Sequence, residues 1–290
     1  MKNRTHYFGL SILSVLILAI ASMKVQKQQR RFILPLFLAY TGMNYIFEYF
    51  ILIIGNSYRY YPKLLRNSYF DNVFGSTISQ LFVIPTSGVV IALFRLSYKW
   101  ILCCAAVLLV IEQLFIKRGL FKHHWWKGYY TPVLVQFFYG FAKLWRYLLV
   151  DKKTKVVRLI TVGLAIFSYY ATITSLHVSL LKTCLVNTQL FQNRYRDHFI
   201  MATIYCGISA FIFFMLIRLK SRVVTVCTVL TLQGFEQFLI KKNLLIVSNQ
   251  LLFVIVSLST KVSSLWVGIY ISQLLTNGQS KKNLKVNIEN

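Results

Sequence analysis

Apolar runs close to the length that crosses a bilayer recur along nearly the whole chain, leaving no stretch long enough for a separate soluble domain. A hydrocarbon core of roughly 30 Å takes about 20 apolar residues in a helix. The runs cover residues 8–23, 32–54, 78–94, 101–116, 131–150, 159–181, 199–217 and 223–240, with a last one inside 244–275. They are continuous rather than spaced along one face. The sequence therefore predicts an all-α, polytopic transmembrane helical bundle of eight or nine spans. Two runs are less regular. Residues 131–150 carry Lys143 and Arg146 among many aromatics, which also suits a helix lying along the interface. The final stretch is long for one untilted span, and Lys261 interrupts it.

Composition agrees with lipid as the solvent. Of the 290 residues 57% are hydrophobic and 14% charged, with a mean hydropathy of +0.58. A soluble domain is about half apolar and a quarter charged, because polar residues must cover its surface. The net charge of +26 comes from 33 Lys and Arg against 7 Asp and Glu. These cations punctuate the apolar runs instead of forming one basic face, which argues against nucleic acid. They suit short loops that meet anionic lipid headgroups, so the bilayer is the expected partner. With nine spans and the N-terminus outside, sixteen Lys and Arg fall in inside loops and fourteen in outside loops, a slight bias for that orientation. The five cysteines show no CxxC spacing, and Cys103, Cys104, Cys206 and Cys227 lie within apolar runs, so neither a disulfide framework nor a zinc site is expected.

The first run follows Lys2 and Arg4 and ends in Ala19-Ile20-Ala21, a pattern that a cleaved secretory leader shares. The next run begins after only a short, strongly basic loop, which favours retention as a first span.

An internal repeat organises the rest. Asn67-Ser68-Tyr69-Phe70-Asp71, Arg95-Leu96 and Glu112-Gln113-Leu114-Phe115-Ile116-Lys117-Arg118 are followed in the same order by Asn193-Arg194-Tyr195-Arg196-Asp197, Arg218-Leu219 and Glu236-Gln237-Phe238-Leu239-Ile240-Lys241-Lys242. Their separations are 126, 123 and 124 residues, and Leu144-Trp145 with Leu265-Trp266 extends the match at 121. The reading is a tandem duplication into two parallel repeats of about four helices. It divides the chain into a first helix and basic loop (1–31), repeat 1 (32–150), repeat 2 (157–275) and a polar, basic tail (276–290).

Three glutamates lie inside apolar runs, at Glu48, Glu112 and Glu236. Intramembrane carboxylates cost a few kcal/mol and usually face the bundle interior or a water-filled cavity. Asn44 falls one turn before Glu48. Gln233, Glu236 and Gln237 share a face at i, i+3 and i+4, and Gln113 follows Glu112. These seven residues form the candidate polar site. The repeat puts Glu112 and Glu236 at equivalent places, expected to face one polar cavity. Hydrogen bonding between helices is the simpler use, and proton or ion coupling the more specific one.

Other features favour architecture over chemistry. His123-His124-Trp125-Trp126-Lys127-Gly128-Tyr129-Tyr130 fits an interfacial aromatic belt, and His177 fits a packing role. Asp71 and Asp197 each precede an apolar run and are expected to cap a helix. No nucleotide-binding glycine loop, HExxH or GxSxG occurs, so no catalytic residue, cofactor or metal is assigned.

Tyr61-Pro62-Lys63 after the span holding Asn44 and Glu48, Glu112 within an apolar helix, and Trp126-Lys127-Gly128-Tyr129-Tyr130 together resemble a family of small, uncharacterised multi-pass membrane proteins of spore-forming Firmicutes. The resemblance covers about residues 32–130. Members are about half this length, in keeping with a duplication. It implies a bacterial plasma-membrane location and brings no assigned activity. The expected function is an integral multi-pass component of the cell envelope, structural or interacting. The alternative is a proton- or ion-coupled transporter that uses the intramembrane glutamates.

Overall fold

The computed structural model describes the backbone of residues 3–286 and the side chains of residues 3–276. The basic tail expected at 276–290 lies outside the described side chains. Among the described residues, nine helices are long and apolar enough to cross a membrane: α1 (Asn3–Lys24), α2 (Lys27–Ile54), α3 (Ser68–Leu93), α4 (Tyr98–Lys117), α5 (Tyr130–Asp151), α6 (Lys155–Leu181), α7 (Arg194–Leu219), α8 (Arg222–Lys241) and α9, which runs Gln250–Val286 with its apolar span ending at Thr276. The all-α expectation holds, and the two irregular runs take definite form. Residues 131–150 belong to α5, which packs against α3 and α4 and buries Tyr139 and Ala142 completely. The last stretch divides, because Leu245–Val247 is a strand and the helix begins only at Gln250.

Among the described residues, four three-residue strands lie at one end of the bundle. β1 (Tyr58–Tyr60) follows α2 and pairs antiparallel with β2 (Phe121–His123), which follows α4. β3 (Cys184–Val186) follows α6 and pairs antiparallel with β4 (Leu245–Val247), which follows α8. Further backbone bonds flank each ladder at both ends: Tyr61 N–H to Leu120 O and His124 N–H to Ser57 O, both at 2.9 Å, and Asn187 N–H to Leu244 O at 2.9 Å and Ser248 N–H to Thr183 O at 3.1 Å. At the opposite end the helices connect through corners of a few residues. The left-handed backbone positions recur in the same order in both halves: Asn56 and Lys182, Lys63 and Gln189, Arg95 and Lys220, Gly119 and Asn243.

The start of α3 corrects one expectation. Asn67, not Asp71, is the capping residue, its Oδ1 accepting from Tyr69 N–H and Phe70 N–H. Asn193 does the same for α7, accepting from Tyr195 N–H and Arg196 N–H. The aspartates face backwards instead. Asp71 accepts the N–H groups of Lys63, Leu64 and Leu65, and Asp197 those of Thr188 and Gln189 together with the Thr188 hydroxyl. A carboxylate satisfies a turn's free N–H groups as well as a helix's, and the asparagine four residues upstream already occupies the cap.

In α3 the backbone widens into a π-turn at Ser79–Val83, just before Pro85. Proline lacks an N–H and its ring crowds the preceding turn, so the ladder loosens there. The extra residue explains why the separation between matching corners drops from 126 to 125 across this helix. It drops again to 124 at Gly119 and Asn243.

The principal contacts of the bundle run α2 on α6, α6 on α9 and α6 on α7, with α3 bridging α2 and α5. Helix α2 approaches α6 at Gly42, where an added Cβ would sit 2.7 Å from the carbonyl oxygen of Leu164. Rings meet between the halves as well: Tyr69 and Tyr195 stack with centroids 6.5 Å apart, beside Phe70 and Phe199. Helix α1 lies against α3, and the buried Tyr7 hydroxyl donates to Leu120 O at 2.6 Å. The expected pairing of Trp145 with Trp266 does not survive packing. Trp145 is buried and donates to Thr161, whereas Trp266 is largely exposed. The burial pattern of α9 matches that of α5 one residue later, with Tyr139 answering to Lys261.

Candidate functional site

The intramembrane carboxylates occupy three separate surroundings. Glu48, near the end of α2, is buried and accepts three hydrogen bonds: from Ser76 Oγ at 2.6 Å, Tyr58 Oη at 2.7 Å and Gln80 Nε2 at 3.0 Å. These donors come from β1 and two successive turns of α3, so the carboxylate ties the ladder end of α2 to its neighbours. A hydrogen bond to a charged group contributes about 1.5–3 kcal/mol. Replacing Tyr58 with phenylalanine is expected to lower stability by about that amount, read as a lower thermal midpoint in detergent. An unchanged midpoint would show that the bond to Tyr58 contributes nothing.

Glu112, on α4, stands at the wall of a cavity. Thr131 at the start of α5 donates to its Oε2, and His123 Nε2 from β2 lies 2.9 Å from its Oε1. The cavity measures about 410 Å³ and lies between α1, α2, α3, α4 and α5. Asn44 borders it, buried, with no hydrogen-bond partner at Nδ2. Tyr58 and Gln80, the partners of Glu48, also line it, while Glu48 itself faces a smaller space between the halves, beside His198 and Cys206. Much of the remaining wall is aromatic, with Phe115, Trp126 and Phe138 among its residues.

Glu236, on α8, is closed off by contrast. Its Oε2 lies 2.8 Å from Lys261 Nζ and accepts from Ser257 Oγ at 2.6 Å, and its Oε1 accepts from Tyr205 Oη at 2.8 Å. The Lys261 ammonium also donates to Ser257 Oγ and to Gln233 Oε1 at 3.0 Å. Lysine and glutamate are both buried, and every helix of the second half except α6 contributes a group. Such a cluster holds α7, α8 and α9 together.

The candidate residues therefore do not converge. Asn44 and Glu112 share one cavity, Glu48 adjoins it through shared partners, and Gln233 and Glu236 belong to the lysine cluster. Gln113 is exposed, and Gln237 pairs only with Gln250 near the surface. The expectation that Glu112 and Glu236 face one cavity is corrected: Glu236 is not among the residues lining the space beside Glu112. Sequence reasoning passed over Tyr58, Ser76, Gln80 and Thr131, since hydroxyls and amides carry no periodic signal. It saw Lys261 only as an interruption, although a lone lysine within an apolar run is itself a pointer to a buried acid.

His177 Nδ1 lies 2.7 Å from Thr183 Oγ1, in keeping with packing. Among the described residues no group of His, Cys, Asp or Glu could hold a metal, and all five cysteines are free. Burial pushes the Cys184 thiol, on β3, up to about 12. No protein family, curated protein or solved structure matches this chain.

Proposed function

We propose that this chain is an integral membrane protein formed by tandem duplication of a four-helix unit, and that it serves as a non-catalytic component of a cell envelope. In this reading α2–α5 with β1 and β2 form one unit, α6–α9 with β3 and β4 the other, and α1 is an addition. One observation carries it: four left-handed corners, two flanked ladders and two Asn caps with back-facing aspartates recur in one order along the chain. The helices that open the units, α2 and α6, lie against each other, which suits a two-fold axis passing between them. The half-length relatives suggested by the Trp126–Tyr130 segment accord with this unit. The carboxylates favour the structural role over coupled transport, because they occupy separate places and Glu236 has its own buried cation.

The reading is tested by extraction and sidedness. Carbonate washing should leave the chain in the membrane, and only detergent should release it. In a variant lacking the native cysteines, single cysteines at Lys122 and Ser248 should label from one side, and cysteines at Lys99 and Lys220 from the other. Release by carbonate, or labelling of Lys122 and Ser248 from opposite sides, overturns it.

A further inference from the structure

The cavity beside Glu112 has a counterpart that is filled, and the filling indicates what the cavity accepts. Glu236 matches Glu112 in the duplication proposed above, and this comparison rests on that reading. Next to Glu236 the second half places the Lys261 ammonium and the Tyr205 hydroxyl, and Tyr170 is buried in the core against which Tyr205 packs. The first half has smaller residues at the matching places: Asn44 for Tyr170, and Ser79 or Gln80 for Tyr205. Tyr139, which answers to Lys261, turns its hydroxyl away to Ser87 Oγ at 2.7 Å. No lysine or arginine is among the described residues that line the cavity. What remains is the Glu112 carboxylate, met by the His123 imidazole and the Thr131 hydroxyl but by no ammonium or guanidinium, an unpartnered buried carboxamide and a wall largely of rings.

We propose that this cavity binds a lipophilic organic cation, a protonated amine on an apolar body, with its ammonium where the second half places Lys261. Carboxylate and aromatic faces both attract a cation, the rings through their quadrupoles, and both attractions strengthen where water is excluded. The Asn44 carboxamide offers the ammonium an acceptor oxygen, its two heavy atoms being interchangeable by a flip. The body has a route in from the flank. Phe47 on α2 and Phe137 and Phe141 on α5 line the cavity and are also exposed on the outside of the bundle. A pocket of this volume with few polar anchors suits a ligand of modest size.

The probe is octylammonium, with octanol as the uncharged control, titrated against the full-length protein in zwitterionic nanodiscs and followed by tryptophan fluorescence. Saturable octylammonium binding is expected, with octanol at least tenfold weaker. Glu112→Gln should weaken octylammonium at least tenfold and leave octanol unchanged, while Val110→Ala on the outer face of α4 should alter neither. Asn44→Tyr, which installs the ring found in the second half, should abolish binding of both and covers the case in which Glu112→Gln fails to fold. Equal binding of amine and alcohol, insensitivity to Glu112→Gln, or no saturable binding overturns the site, whatever cysteine labelling says of the duplication. Loss in Glu112→Gln with full retention in Asn44→Tyr would uphold the cation site and break the equivalence of the two halves.

Discussion

Replacing Lys261 with methionine is expected to lower the free energy of unfolding by about 3–5 kcal/mol, the cost of stranding a buried charge whose partner has been removed. Methionine nearly matches the lysine stem in volume, so the loss reports the charge and its hydrogen bonds more than the packing. The structure places the effect. Lys261 is fully buried, and its ammonium holds Glu236, Ser257 and Gln233 at once. The double variant Lys261→Met with Glu236→Gln should recover most of the loss, because a neutral amide can accept from one of the Tyr205 and Ser257 hydroxyls and donate to the other. Unfolding in mixed micelles, followed by near-ultraviolet circular dichroism, measures both. A single-variant loss below about 1 kcal/mol would place the pair among exposed ion pairs of little worth. A double variant no more stable than the single one would show that the lysine stem, not its charge, is what matters.

Gly42→Ala should be strongly damaging for the addition of a single methyl group. Its Cβ would lie 2.7 Å from the Leu164 carbonyl oxygen and 3.2 Å from the Leu164 Cβ, so α2 and α6 must separate to admit it. A helix backbone cannot swing aside as a side chain does, and overpacking of this kind costs about 1–3 kcal/mol or more. Close backbone approach at small residues drives helix association in lipid, where water gives no apolar driving force. Gly207→Ala on α7 is the matched control, since nothing lies within 4 Å of its added Cβ. It should gain roughly 0.5–1 kcal/mol from helix propensity alone. Opposite signs for the two glycines are the expected result. A neutral or stabilising Gly42→Ala would mean that the α2–α6 contact is looser than its geometry.

The helices were legible because a span declares itself locally: each needs its own run of apolar residues, and among the described residues nine helices answer to the nine runs. The four strands were not. Three residues such as Tyr58-Arg59-Tyr60 carry too little periodicity to stand out, and the paired positions lie 59 to 65 residues apart. The proposed repeat was drawn from polar landmarks, and its register within α9 was misplaced, since the burial of α9 follows that of α5 one residue beyond the match at Leu265-Trp266. Only burial separates the hidden Trp145 from the exposed Trp266. The candidate site failed for a related reason. Spacing along one helix fixes which residues share a face, as Gln233 and Glu236 do, but not which neighbour that face meets. On the proposed duplication Glu112 and Glu236 hold matching places on α4 and α8, yet their surroundings differ because the side chains that arrive from other elements, His123 and Asn44 against Lys261 and Tyr205, are different.

The stack of Tyr69 on Tyr195 has a consequence for ancestry. On the duplication, these rings are one residue and its own copy, in contact near the axis that relates the halves. A residue that touches its own copy marks an isologous interface, the kind that joins identical subunits into a two-fold dimer. An ancestor of half the length would already have possessed this contact and worked as a homodimer, both of its subunits bound to the same sequence. On the proposed duplication, joining the genes would have lifted that constraint. One unit could then keep an open chamber at Asn44 while the other closed its own with Lys261, a division of labour no symmetric dimer could make.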